Sequence, residues 1–340
     1  MGVDLSDLVT PSEIGLKELK DRTVAIDAYN TLYQFLSIIR QQDGAPLADD
    51  RGNVTSHLSG IIYRVTNLVE EGVKPVFVFD GKPPSFKAET IKARMEVREA
   101  AKQLYEAARA SGSADAYRYA QASTSINKQI VSDAKELLGY MGIPFIVAPS
   151  EGEAQAAHMV SKGTADYVGS QDYDSLLFGA PRVVRNITIT GKRKVPRKNI
   201  YMDVKPEVVE LQGMLQALQL TRGELIVLAI LVGTDYNPGI YKVGPKTALK
   251  LVKKHGDDMP AILDELGQTI ENWQAIKEFF LKPNVTDDYN IKWGKPEPGK
   301  IRRFLCDEHS FSVDRVDKVL ERLTKAVSET GKQKTLSSWF

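Results

Sequence analysis

Seven carboxylates in the chain have the types and spacing for metal-assisted chemistry: Asp27, Asp80, Glu151, Glu153, Asp172, Asp174 and Asp235. Asp172 and Asp174 stand two residues apart, so both can face one way on an extended strand end. Glu151 and Glu153 share that spacing at the helix start predicted by Pro149-Ser150-Glu151-Gly152-Glu153. In a regular helix such residues point about 200° apart, so at least one must lie in the capping turn if both serve one site. Asp235 follows Leu231-Val232-Gly233-Thr234, an apolar helical segment breaking into a Gly-rich loop. Seven carboxylates cannot share a pocket unneutralised, because each raises the cost of ionising the next. Hard divalent cations resolve the conflict, and all-oxygen ligands select Mg²⁺ or Mn²⁺ over zinc. Two such ions about 4 Å apart would stabilise both the attacking and the leaving oxygen of a phosphodiester displacement. Taken singly, each acid is better read as a helix cap or surface charge, and Asp133 and Asp166 are left in that class. The strand-ending acids and the two spaced pairs together are not so easily dismissed.

Such chemistry requires the acids to be delivered to one place. Thr23-Val24-Ala25-Ile26-Asp27 and Pro75-Val76-Phe77-Val78-Phe79-Asp80 are short apolar runs that each end in an acid. Ala165-Asp166-Tyr167-Val168-Gly169-Ser170 is a third, followed by Asp172 and Asp174. Runs of β-branched and aromatic residues bounded by turn residues predict strands buried on both faces. Helical stretches, Ser59 to Glu71 and Ser132 to Met141 among them, separate the runs. The alternation predicts an α/β fold, a mostly parallel central sheet flanked by helices, with ligands at the carboxyl ends of its strands. Pro83 to Lys128 interrupts the rhythm with a Pro-Pro loop, a charged helix (Ala88 to Ala110) and a small, polar stretch from Ala110 to Ser125. Without a core of its own it reads as a mobile excursion. Ile187 to Lys192 resembles one arm and turn of a hairpin. From Thr221 to about Val327 the pattern is helical, broken at Gly294 to Gly299. One composite domain over 1–327 is therefore expected, made of 1–82, an insertion 83–130 and a second region 131–327. A flexible tail over 328–340 follows.

The chain has 340 residues, 42% hydrophobic and 26% charged, in the range of globular proteins. A single cysteine, Cys306, excludes an intramolecular disulfide framework and fits a reducing, intracellular compartment. No apolar run reaches the roughly 20 residues that span a bilayer, and no membrane partner is expected. Met1-Gly2-Val3-Asp4-Leu5-Ser6 matches the loose myristoylation pattern, which five positions do little to specify. The formal charge of +1 hides strong patches. Arg182, Arg185, Lys192, Arg193, Lys194, Arg197 and Lys198 form one run without a carboxylate, and Lys242, Lys246, Lys250, Lys253 and Lys254 form another. A phosphate backbone meets such local fields, not the net charge.

Five segments make the pattern recognisable: Val24-Ala25-Ile26-Asp27-Ala28, Phe77-Val78-Phe79-Asp80-Gly81-Lys82-Pro83-Pro84, Ala148-Pro149-Ser150-Glu151-Gly152-Glu153-Ala154-Gln155, Ser170-Gln171-Asp172-Tyr173-Asp174 and Gly233-Thr234-Asp235-Tyr236-Asn237. In order and content they resemble the motifs of flap endonucleases, part of the wider 5′-nuclease superfamily with its PIN-like fold. The resemblance covers nearly the whole chain. It implies that all seven acids are metal ligands or hold metal-bound water, around two Mg²⁺ ions per site, with Mn²⁺ as a substitute. It also implies cleavage of 5′ flaps at single-strand/duplex junctions, with 5′–3′ exonuclease activity, in lagging-strand replication and base-excision repair.

Other segments suit DNA handling. In Pro238-Gly239-Ile240-Tyr241-Lys242-Val243-Gly244-Pro245-Lys246, Gly239 and Gly244 allow a tight turn whose backbone N–H groups reach a phosphate. Lys242, Lys246 and Lys250 extend that contact; the alternative is an ordinary interhelical loop with a solvated lysine face. Beside Asp235 it resembles the family's helix–turn–helix for duplex DNA, here about 222–256, where family members hold a monovalent cation such as K⁺. Lys87 and Arg94 lie two turns apart on one helix face and could stabilise charge on a scissile phosphate. The alternative is a solvated face paired with Glu89, Glu96 and Glu99. Resemblance to the family's helical arch, which a free 5′ strand enters, selects the catalytic role. Tyr33 is either a core residue or a platform for a base, and the resemblance favours stacking. Arg40 and Lys82 are assigned to DNA contact nearby, and Gly2 would lie close to the site. Gln333-Lys334-Thr335-Leu336-Ser337-Ser338-Trp339-Phe340 resembles a sliding-clamp-binding peptide, with Gln333 in a polar pocket and Leu336, Trp339 and Phe340 filling an apolar one. The alternative is a tail folded onto its own core. Ending on that box resembles the archaeal branch, for which the compartment would be the cytoplasm. Glu151 follows Asp80 by only 71 positions, against a spacer of hundreds of residues in excision-repair relatives. A non-enzymatic junction scaffold gains nothing from seven charges that repel phosphate, and the arch and duplex loop disfavour an RNA-cleaving relative of smaller fold.

Overall fold

The computed structural model describes residues 2–113, 115–188, 192–194 and 201–337. The chain enters through β1 (Ser12–Glu13), β2 (Thr23–Asp27), α1 (Ala28–Ile38), α2 (Ser56–Gly60), α3 (Thr66–Glu70) and β3 (Lys74–Phe79). The insertion holds α4 (Ala88–Ala110) and α5 (Ala116–Ala122) and leads to α6 (Lys128–Tyr140). Next come β4 (Phe145–Val147), α7 (Gly152–Ser161), β5 (Tyr167–Gly169), α8 (Asp174–Leu177), β6 (Arg182–Arg185), β7 (Lys192–Lys194), β8 (Tyr201–Asp203) and β9 (Glu207–Glu210). The remainder is helical: α9 (Leu211–Leu218), α10 (Arg222–Val232), α11 (Pro245–His255), α12 (Met259–Leu266), α13 (Trp273–Leu281), α14 (Pro298–Arg302) and α15 (Val313–Ser337).

Seven strands form one sheet in the order β1-β9-β6-β5-β2-β3-β4. Pairings from β6 through β4 are parallel, while β9 pairs antiparallel with both β6 and β1 at one edge. Side-chain alternation explains the two cores. Val24, Ile26, Phe77 and Phe79 face the layer of α1, α3, α6 and α15, while Ala25, Val76 and Val78 face α7 and α10. Because both faces are covered, the central strands carry no polar face, as a parallel sheet requires.

Several local expectations change. The helix expected from Ser59 begins at Ser56 and contains a wide turn over Ile61–Val65. The polar stretch after Ala110 holds α5, seated against α4 through the buried small residues Ala101, Ala108, Ala116 and Ala120. Its composition lacks the large apolar period that would announce a helix. The hairpin pairs Lys192–Lys194 with Tyr201–Asp203, later than expected, with its turn outside the described residues. Asp133 is not a surface residue: it is buried on the inward face of α6, accepts from Gln129 Nε2 at 2.7 Å and faces the His57 ring 3.7 Å away. α15 continues past residue 327, where a tail is expected. Among the described residues no single helix is long and apolar enough to cross a membrane.

Candidate active site

The carboxyl ends of β2, β3 and β5 open on one side of the sheet, and the acids gather there. Asp27 ends β2 and caps α1, accepting the Asn30 N–H at 3.0 Å. Asp80 follows β3 and accepts the Gly152 N–H at 2.7 Å. A Cβ on Gly152 would stand 2.9 Å from that carboxylate and 3.0 Å from the Val78 carbonyl, so a side chain there would push Asp80 out of place. Glu151 is the N-cap of α7 and Glu153 lies in its first turn. One glutamate therefore occupies the capping turn and the other the helix, as their spacing demands. Ser170, just past β5, donates its hydroxyl to Glu153 Oε1 at 2.9 Å and accepts the Asp172 N–H at 3.2 Å. Asp172 and Asp174 are not on a strand end: β5 stops at Gly169, and Asp174 opens α8. Asp174 accepts the Val3 N–H at 2.7 Å, and a Cβ on Gly2 would lie 2.3 Å from its Oδ1. The N-terminal segment is thus packed onto the site, as expected for Gly2. Asp235 sits in the tight turn closed by Thr234 and Asn237 after α10.

A cavity of about 280 Å³ lies between these residues, lined by Asp27, Asp80, Glu151, Glu153, Asp172 and Asp235, and by Tyr33, Lys87, Arg94 and Arg98 from α1 and the arch. Asp174, 3% exposed, also belongs to the acid group. Burial, then the Asp80 charge, pushes the Asp27 carboxyl up to about 8. Burial, with Asp235 and Asp172, raises Asp174 to about 7, and burial with Glu151 raises Asp80 to about 6. Glu153 is held well above its ordinary range by burial and by Asp174. Burial is the first cause of these shifts and repulsion between the carboxylates the second, and a bound cation would offset both. Two protein cations already answer part of it. The Lys87 ammonium bonds to Glu151 and stands 4.0 Å from Asp235, while Arg94 grips Asp235 in a two-pronged pair, Nη1 to Oδ2 at 3.0 Å. Burial opposes the Lys87 charge, but Glu151 and Asp235 more than compensate and raise its pKa. Among the described residues no three carboxylates stand as the shell of one ion.

The residues expected to contact DNA separate into two groups. Tyr33 is half-buried on the cavity wall with the Arg98 guanidinium 5.7 Å from its ring. Arg40 is engaged within the protein, donating to the Gly44 carbonyl at 2.7 Å and Thr124 Oγ1 at 2.6 Å, so it ties α1 to the base of the arch. Lys82 is exposed beside Asp80. Away from the cavity, Gly239 has φ +75°, and a Cβ there would lie 2.3 Å from the Val232 carbonyl. Gly244 caps α11 with open space before it. Lys242, Lys246 and Lys250 are exposed; Lys242 also takes a positive φ of 65°, and Lys246 pairs with exposed Asp7 at 3.3 Å. Gln333 and Leu336 fall in the last turns of α15, and Trp339 and Phe340 lie outside the described residues. Sequence reasoning missed Asn30, whose amide donates to Asp172 Oδ2 at 2.9 Å, and the bracing role of Ser170. Both stand within three residues of an acid, which is the signal that could have found them.

Residues 1–101 match the XPG N-terminal domain family and residues 142–235 the XPG I-region. Over the full length of both chains, the sequence is 87% identical to flap endonuclease 1 of Methanocella arvoryzae. The chain belongs to the flap endonuclease family. Flap endonuclease 1 of Methanosarcina acetivorans is 59% identical, again over the full length of both, which marks this flap endonuclease as archaeal in type. The structure of flap endonuclease-1 from Methanococcus jannaschii superposes with a TM-score of 0.76 at 38% identity, covering 96% of this chain and 99% of that one. The catalytic core of Rad2 in complex with DNA substrate shares the fold at 24% identity and a TM-score of 0.68, over 92% and 96% of the two chains. This flap endonuclease is accordingly a DNA-hydrolysing, structure-specific nuclease on a PIN-like α/β scaffold.

Proposed function

We propose that this flap endonuclease hydrolyses 5′ flaps at single-strand/duplex junctions with two divalent ions held by Asp27, Asp80, Glu151, Glu153, Asp172, Asp174 and Asp235. The convergence of six of these acids on one cavity, with Asp174, raised by burial and by the charges of Asp235 and Asp172, beside them, carries the reading. Their donor set fits Mg²⁺, with Mn²⁺ as a substitute: every donor is a hard carboxylate oxygen, and burial together with the neighbouring carboxylates raises the pKa of Asp27, Asp174 and Glu153, a cost that a bound cation would offset. The chemistry such ions supply is activation of water and neutralisation of the leaving 3′ oxygen. Lys87 and Arg94 then turn from the acids to the scissile phosphate, where a preorganised cation stabilises the charge that develops. Ser170 and Asn30 hold Glu153 and Asp172 in place. Tyr33 and Lys82 meet the strand near the cavity, and Arg40 supports the arch. The turn from Gly239 to Gly244 offers backbone N–H groups to the duplex, flanked by Lys242, Lys246 and Lys250, and its carbonyls suit a K⁺ ion.

The same reading includes 5′–3′ exonuclease activity and work in lagging-strand replication and base-excision repair inside the cell. Gln333, Leu336, Trp339 and Phe340 would recruit the enzyme to a sliding clamp of the proliferating-cell-nuclear-antigen type. Cleavage of 5′-flap, 3′-flap, bubble and blunt substrates, with and without Mg²⁺, tests the activity. Mg²⁺-dependent incision of the 5′ flap is expected to dominate, with slower 5′–3′ trimming of the blunt duplex, whereas equal cutting of the 3′ flap would reject the specificity. Truncation after Lys332 should leave clamp-free cleavage nearly unchanged and abolish clamp binding measured by calorimetry. Undiminished affinity would show that the segment packs on its own chain.

A further inference from the structure

Phe86 and Lys87 are adjacent, yet their side chains serve different surroundings. Pro84 begins a tight turn over Ser85–Lys87, closed by the Lys87 N–H on the Pro84 carbonyl at 3.1 Å. From that turn Lys87 reaches Glu151, while the Phe86 ring meets Tyr236 and Phe279 edge-to-face, with centroids 5.4 Å from each. Both rings belong to a larger aromatic cluster. Tyr236 also meets Phe280 at 5.4 Å, and Phe178 meets Phe279 and Phe280 at 5.6 and 4.8 Å. Each ring is tied to a part of the site. Tyr236 follows Asp235, Phe178 ends the short helix opened by Asp174, and Phe279 and Phe280 lie on α13, which packs against α10. The Lys87 ammonium itself stands 5.5 Å from the centre of the Tyr236 ring. The arch helix α4 packs mainly on α5 and on this turn. Phe86 is therefore the arch's apolar anchor at the point where it delivers its lysine.

We propose that Phe86 is a positioning residue: its seat between Tyr236 and Phe279 fixes where the Lys87 ammonium stands and couples the arch to the α10–α13 body. The proposal rests on the reading of Lys87 as the group that acts on the scissile phosphate. Misplacing a reacting group by about 1 Å can lower a rate by about a hundredfold without loosening substrate binding. An ordinary packing residue would instead weaken the fold as a whole.

A double-mutant cycle on the full-length chain separates the two. Phe86→Ala should slow single-turnover cleavage of a saturating 5′ flap by about tenfold to a hundredfold, with the dissociation constant changed less than about threefold. Phe86→Leu, which refills the seat, should recover to within about threefold of wild type. In a Lys87→Ala background, Phe86→Ala should add less than about twofold, because its effect passes through the lysine. If Phe86→Ala melts early, Phe86→Val takes its place in the cycle. Independent multiplication of the two rate losses overturns the inference, as does a rate loss that only tracks a lower melting temperature. A Lys87→Ala variant with the wild-type rate would bring down the reading of Lys87 and this inference with it; additive losses alone bring down only this one.

Discussion

In the acid pocket, Asp27 and Asp174 are 6% and 3% exposed, and their carboxyls are pushed up to about 8 and 7. In the turn before α11 and along that helix, Lys242, Lys246 and Lys250 stand in solvent, and the partner of Lys246 is an exposed Asp7. Buried like charges must be compensated by a proton or a cation, so each acid is fixed by a specific bond: Asp80 to the Gly152 N–H, Asp174 to the Val3 N–H, Asp172 to Asn30. Exposed lysines need no such fixing, since water screens them. The pocket should accordingly fail completely when one group is removed, and the lysine face should fail gradually.

Removing one acid should have the largest effect. Asp174→Ala is expected to abolish cleavage while junction binding stays within about tenfold, roughly 1.4 kcal/mol; full activity in Mg²⁺ would refute its assignment to the metal site. Next come the cations of the arch. Lys87→Ala and Arg94→Ala, made separately, should each lower the single-turnover rate by about 10² to 10³ with little change in affinity. If both variants raise only the dissociation constant, these residues guide the strand and do not act on the phosphate.

The lysine face should respond by increments. Replacing Lys242, Lys246 and Lys250 with Ala should weaken binding similarly for all duplex sequences. It should also flatten the log–log salt slope by about 0.9 for each phosphate that a lysine had neutralised. An unchanged slope would place these lysines in solvent only. A smaller effect concerns stability without divalent ions. The raised carboxyls hold protons more tightly in the folded chain than in the unfolded one, so their stabilisation is fully present below the ordinary value of 3.8, is lost progressively above it, and is gone only once pH has passed the folded values of about 6 to 8. In chelator the melting temperature should therefore fall between pH 6 and pH 8, and Mg²⁺ should restore more of it at pH 8. A melting temperature that rises across this window with chelator present would contradict the picture of self-repelling acids.

Much of the pocket is legible in the sequence because its signals are local. Val24-Ala25-Ile26-Asp27 and Val76-Phe77-Val78-Phe79-Asp80 declare buried strands and place an acid where each ends. The spacing of Glu151 and Glu153 even requires one to sit in the capping turn. The same spacing misleads at Asp172 and Asp174, since two residues apart suits a strand, whereas the chain has already turned at Ser170 and enters α8. Asp133 escapes a sequence reading because its inward position follows from α6 packing toward His57, a residue 76 positions away. The ring cluster is invisible for the same reason: Phe86, Phe178, Tyr236 and Phe279 are scattered along the chain, and no period connects them.

Counting bound ions tests the account most directly. Titrating the full-length chain with Mn²⁺ and following the free ion by electron paramagnetic resonance should show two saturable sites per chain. At least one should be lost in Asp174→Ala, and both should be displaced by excess Mg²⁺. A chain that binds no Mn²⁺ saturably, or binds it equally well without Asp174, would contradict the claim that these seven carboxylates form a two-ion centre.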